Sequence, residues 1–174
     1  MRMFECQTEE DYERFAVFFL QNRNSFDDMY SILGSIGSLY AIIESSIILL
    51  VCNNEGDVIA AVSYTLNPPD NPNMALINCA LLQKEYQSSL VFVQGFYQMT
   101  QHIAANYPQV TEVQFEVYRH HYYIHNLYQK FASIIAEKEG DFGIQDIFAV
   151  DFATLTNYLQ RFFRKENRAK GEQV

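Results

Sequence analysis

The period of the apolar positions changes several times along the chain, and each change predicts an element. Met74 to Leu82 (MALINCALL) is almost continuously apolar, which predicts a strand buried on both faces. Gln83 to Ser89 (QKEYQSS) is polar and reads as a turn. From Leu90 the period becomes helical, because Phe92, Phe96, Met99 and Ile103 share one face. Ser88 or Ser89 can cap that helix by accepting a hydrogen bond from a free N–H of its first turn. Pro108 stops it at Tyr107. A strand feeding a helix N-terminus offers an anion site, since unpaired N–H groups and the helix dipole point at the turn. The other reading is an ordinary strand–helix crossover with no ligand.

The remaining elements fall around this unit. Phe4 to Cys6 reads as a short strand, and Thr8 with Asp11 resembles a capping pair for a helix that shows Tyr12, Phe15, Ala16 and Phe19 on one face. A second helix is expected from Ser25 to about Leu33, broken by Gly34 and Gly37, and the stretch to Glu44 carries no decisive pattern. Ser46 to Cys52 and Val58 to Leu66 form a hairpin around the turn Asn53 to Asp57. Asn67 to Pro72 is a loop by composition. Later, Val113, Phe115 and Val117 alternate with Glu112, Gln114, Glu116 and Tyr118, a strand with one polar face. His120 to Phe131 reads as a helix, Ala132 to Ala136 as a strand, Glu137 to Asp141 as a turn and Gly143 to Asp151 as a returning strand. Leu155, Tyr158, Leu159 and Phe162 mark a last amphipathic helix. The expected order is β-α-α-β-β-β-α-β-α-β-β-α, a mixed α/β (α+β) single domain with a central sheet flanked by helices over residues 1–166. Residues 167–174 are expected to be a basic, frayed tail.

Composition and charge narrow the function classes. The 174 residues are 49% apolar with 14 Phe and 12 Tyr, enough for one well-packed core. No apolar run approaches the roughly 20 residues a membrane-spanning helix needs, and the acidic start MRMFECQTEED is no signal peptide. Cys6, Cys52 and Cys79 form no CxxC pair or zinc spacing, so reduced thiols and a cytoplasmic location are expected. The net charge is −9, yet Arg161, Arg164, Lys165, Arg168 and Lys170 crowd the last 14 positions, leaving residues 1–160 at −12. Such a body repels phosphate backbones and attracts amines, which argues against nucleic-acid binding. His121 and His125 lie four apart and, with His120, suggest a metal, but no nearby Asp, Glu or Cys completes a zinc set. Solvated or packing histidines are the alternative, and no metal is expected.

The element order and one local motif resemble the GNAT superfamily of acyl-CoA-dependent N-acyltransferases over almost the whole chain. Leu127-Tyr128-Gln129-Lys130-Phe131-Ala132 is similar to the family's LYEKLGF-type helix end. The resemblance implies acetyl-CoA as co-substrate and a small-molecule amine as acceptor, with Tyr128 as the acid that protonates the departing sulfur. It implies that the backbone of Leu81, Leu82 and Gln83 pairs with the pantetheine arm. It also aligns Gln87-Ser88-Ser89-Leu90-Val91-Phe92 with the pyrophosphate loop Q/R-x-x-G-x-G/A. Gln87, Ser88, Ser89 and Leu90 are then the phosphate-side residues. Both glycine positions are filled, by Leu90 and Phe92, and His121 stands where the family often has Asn. Glu116 is the candidate general base, with Glu112 second. Each site residue also has a plainer reading, Tyr128 as a packing residue and Glu116 as a solvated strand carboxylate. The alternative function is a catalytically inactive GNAT-fold module that binds a partner or forms a homodimer through a Tyr- and Phe-rich surface. The acidic body points to a small cationic acceptor, met by Asp27, Asp28 and Asp70.

Overall fold

A computed structural model describes residues 1–26, 31–66, 71–87 and 90–171, with side chains of 25, 26 and 164–171 left aside. The order is β1 (Arg2–Glu5), α1 (Glu9–Gln21), α2 (Arg23–Phe26), α3 (Ile32–Ser45), β2 (Ile47–Cys52), β3 (Val58–Leu66) and β4 (Met74–Leu82). It continues with a 3₁₀ turn (Lys84–Tyr86), α4 (Leu90–Asn106), β5 (Glu112–Tyr118), α5 (Tyr122–Tyr128), β6 (Ser133–Gly140), β7 (Gly143–Asp151) and α6 (Phe152–Gly171). The strands make one seven-stranded sheet in the order β1-β2-β3-β4-β5-β7-β6. Among the described residues only the β4–β5 pairing is parallel.

Two apolar layers cover the sheet. Phe15, Phe18 and Phe19 of α1 pack with Leu39 and Ile42 of α3 on one face. Phe96, Met99 and Ile103 of α4, Tyr128 of α5 and Leu155 and Leu159 of α6 pack on the other. The expected capping pair forms a full box: Asp11 N–H donates to Thr8 Oγ1 at 3.2 Å, and Thr8 N–H donates to Asp11 Oδ2 at 3.1 Å.

Three local expectations need correction. The helix expected to stop at Gly34 instead begins at Ile32 and runs through both glycines. Ser31 caps it by accepting from the Gly34 N–H at 3.0 Å, and burial of Leu39 and Ile42 offsets a glycine cost of about 1 kcal/mol each. The turn expected at Glu137 to Asp141 is mostly strand, because β6 pairs with β7 as far as Gly140 opposite Gly143. Asp141 and Phe142 alone make the loop, closed by the positive φ of Gly143 (119°). The central strand is not uniformly buried either. Ser63 pairs with Cys79 while Tyr64 pairs with Ile77, so Asn78 is an extra residue, a bulge. The bulge switches faces: Ala75 and Ile77 join the α4 layer, whereas Cys79 and Leu81 join the α1–α3 layer. Asn78 Nδ2 secures it by donating to Ser46 Oγ at 2.9 Å and to Thr65 Oγ1.

Candidate active site

The split between β4 and β5 defines the site. They pair only from Met74–Glu112 to Ile77–Phe115. Beyond that, β4 stays with β3 as far as Leu82 and β5 stays with β7 as far as Tyr118, so the two parallel strands part. A cavity of about 630 Å³ lies along the end of β4, past the parting, and extends over β3 to β2, a size typical of small-molecule sites. The end of β4, the turn residues Lys84 and Gln87, the start of α4 and the residues from His121 to Ile124 enclose it.

The floor of the cavity is built by strand register. Val51, Ala60 and Leu82 lie in one cross-strand row, and Val62 and Ala80 in the next. Above them are Val91, Phe92, Gly95 and Phe96 of α4, one helical face. Lys84 is the one residue of fixed charge among the described lining residues, and it stands with Gln87 at the turn.

Of the expected site residues, Leu81, Leu82 and Gln87 come together at this cavity. Gln83 sits beside it with its N–H donated to Ile59 O at 2.9 Å, and it lines a different, polar groove under α1. Leu90 starts α4 and is exposed. Ser88 and Ser89, and the acidic residues Asp27, Asp28 and Asp70, lie outside the described residues.

The two expected catalytic residues sit elsewhere. Tyr128 ends α5 and is 4% exposed. Its ring meets Phe115 at 4.5 Å, Phe131 at 5.7 Å, Phe148 at 6.0 Å and Phe96 at 6.4 Å between centroids. Burial raises its pKa, so the phenol stays protonated and keeps a proton to donate. Phe96 belongs to both environments, since it packs on Tyr128 and also lines the cavity. Glu116 lies on the face of β5 opposite Phe115, where Lys138 Nζ donates to its Oε2 at 2.6 Å.

Sequence reading missed a polar anchor behind Tyr128. Asp146 of β7 is 1% exposed and accepts from Arg119 Nε at 3.2 Å and Nη2, while its Oδ2 lies 2.7 Å from His125 Nε2. Arg119 also pairs with Glu137. The Arg119 hydrogen bonds hold the Asp146 carboxyl below its ordinary pKa, despite burial that pushes it up. His125 is one turn before Tyr128, so the anchor fixes α5 on the sheet. The signal was present in the alternation, because Asp146 shares the parity of Phe148 and Val150 in β7. The expected reduced cysteines are all free and buried, and burial pushes Cys6 up to about 12. Among the described residues no three His, Cys, Asp or Glu side chains converge as a metal set, and no helix is long and apolar enough to cross a membrane.

No family model matches the sequence, and no curated protein matches it. Solved structures do match the fold. An acetyltransferase of the GNAT family from Streptococcus pneumoniae aligns with TM-score 0.61 at 15% identity, covering 86% of this chain and 99% of its own. A variant of the spermidine N-acetyltransferase of Vibrio cholerae aligns with TM-score 0.65 at 9% identity, covering 91% and 99%. An aminoglycoside 6'-N-acetyltransferase complexed with coenzyme A aligns with TM-score 0.63 at 7% identity, covering 87% and 97%. The chain therefore has the fold of the GNAT superfamily, as its element order suggested.

Proposed function

We propose that the protein is an acyl-CoA-dependent N-acyltransferase, with acetyl-CoA as the reference donor and the primary amine of a small cationic molecule as acceptor. One observation carries this reading: a cavity of ligand size lies along the end of β4 where it has parted from β5, bordered by the starts of α4 and α5. The amine nitrogen attacks the thioester carbonyl carbon, the carbon–sulfur bond breaks, and the products are an amide and the CoA thiol. The backbone of Leu81 and Leu82 lies along the cavity for the pantetheine arm, with Gln83 just beyond. Lys84 and Gln87 stand at the phosphate end, and Ser88, Ser89 and Leu90, which follow in the sequence, complete the proposed phosphate-side set. Tyr128 supplies the sulfur's proton only if the Phe96 ring gives way. Glu116 acts as base only after leaving Lys138, so an ordered water is an equal candidate. The −12 charge of residues 1–160 favours a cationic acceptor, and the matched spermidine and aminoglycoside enzymes are named for such amines.

Calorimetry with acetyl-CoA tests the donor. We expect a saturable heat, and none at millimolar ligand defeats the reading. A panel of polyamines, aminoglycosides, amino acids and peptides tests the acceptor: rates for cationic amines should fall with added salt. A second reading has its own observation, since Tyr128 is packed in aromatic core and both glycine positions are filled. That reading is a catalytically inactive GNAT-fold module that binds a partner or a second copy, and it predicts neither heat with acetyl-CoA nor transfer to any amine.

A further inference from the structure

We propose that the donor of this site carries an apolar acyl chain several carbons longer than acetyl, seated on the floor under α4. This rests on the acyltransferase reading above. The cavity is amphipathic along its length. Lys84 and Gln87 mark one end, and Val51 of β2 and the Met3 side chain of β1 mark the other. Crossing from β4 over β3 to β2 is two strand spacings, about 10 Å. No charged side chain lines that path among the described residues. An acetyl methyl fills little of it, and Val51, Ala60, Val62, Ala80 and Leu82 give it an apolar strand floor, with Asn24 and His121 among the further polar residues of its described lining.

Small residues keep the floor open. Ala60 and Ala80 sit in the sheet, and Gly95 lies over them on α4. Gly95 is not required by backbone geometry, because its φ is not positive and an added Cβ meets nothing within 4 Å. In the interior of a 17-residue helix such a glycine costs about 1 kcal/mol against alanine. What its missing side chain leaves is space over the floor. An acyl tail laid across Ala80 and Ala60 beneath Gly95 fills that space with apolar contact, while the CoA phosphates remain at Lys84.

Equilibrium binding of CoA, acetyl-CoA, butyryl-CoA and octanoyl-CoA without an acceptor reads the chain length directly. Affinity should rise by roughly two- to fourfold per methylene until the floor is full. In Gly95→Leu and, independently, Ala80→Leu, the gain from acetyl to octanoyl should fall to less than about twofold, each variant first checked for a native melting transition. If acetyl-CoA binds but octanoyl-CoA binds no tighter, this inference is overturned and the acyltransferase reading stands. If chain length raises affinity equally in both filled variants, the tail lies elsewhere and the inference is again overturned. Should no CoA derivative bind, both fall together.

Discussion

The α4 face of the sheet contains two apolar regions of opposite character. Around Tyr128 the space is closed by rings: Phe115, Phe131 and Phe148 surround the tyrosine, and Asp146 with Arg119 and His125 ties the helix above them to β7. Under the first turns of α4 the strands offer Ala60, Val62 and Ala80, and the helix offers Gly95, so a cavity remains. Phe96 borders both. Hydrophobic alternation is equally good on the two sides. Side-chain volume, not polarity, separates core from site.

The largest test of that contrast is truncation. Phe148 is fully buried in the ring cluster, so Phe148→Ala should cost about 3–5 kcal/mol by urea unfolding. Leu82, half-buried at the cavity edge, should cost about 1 kcal/mol when changed to alanine, because its surroundings are already open on one side. Equal losses at the two positions would break the distinction between a closed and an open region.

Charge sharpens it next. Asp146 is buried in the closed region and faces Arg119 and His125, with Glu137 across Arg119. Asp146→Asn leaves those donors without their anion and should cost roughly 1–3 kcal/mol at neutral pH. The Asp146 pKa is lower folded than unfolded, so its contribution is complete above the ordinary carboxylate range and is lost as pH falls through the folded value. The stability gap between wild type and variant should therefore shrink below about pH 4. A gap that failed to shrink below about pH 4 would remove the carboxylate from the account.

Much of the architecture was legible because it rests on period. The β2–β3 hairpin, β4, β5 and α6 follow alternation or helical spacing, and Val113, Phe115, Val117, Leu155 and Leu159 are buried on the faces the spacing marked. The family motif at Leu127 to Ala132 coincides with the end of α5. Two features were not legible for a physical reason. The bulge at Asn78 lies inside an apolar run, where a single polar residue reads as ordinary strand, so the change of face along β4 was hidden. The cavity is a deficit of volume shared by Ala60, Ala80 and Gly95 on three elements, and no local window reports it. Asp146 could have been found, since a carboxylate at the parity of Phe148 requires a partner.

The smallest expected effect has the opposite sign and probes the open side alone. Gly95→Ala adds one methyl group to a helix interior, where the intrinsic preference for alanine is about 1 kcal/mol. In a closed core such a methyl would meet neighbours and the gain would be lost to crowding. Here the added Cβ has no atom within 4 Å, so the preference should be realised almost in full. The expected outcome is a stabilisation of roughly 0.5–1 kcal/mol, seen as a higher urea midpoint with an unchanged slope. Destabilisation by Gly95→Ala would mean that α4 packs closer to Ala80 and Ala60 in solution, and the open region would then be core like its neighbour.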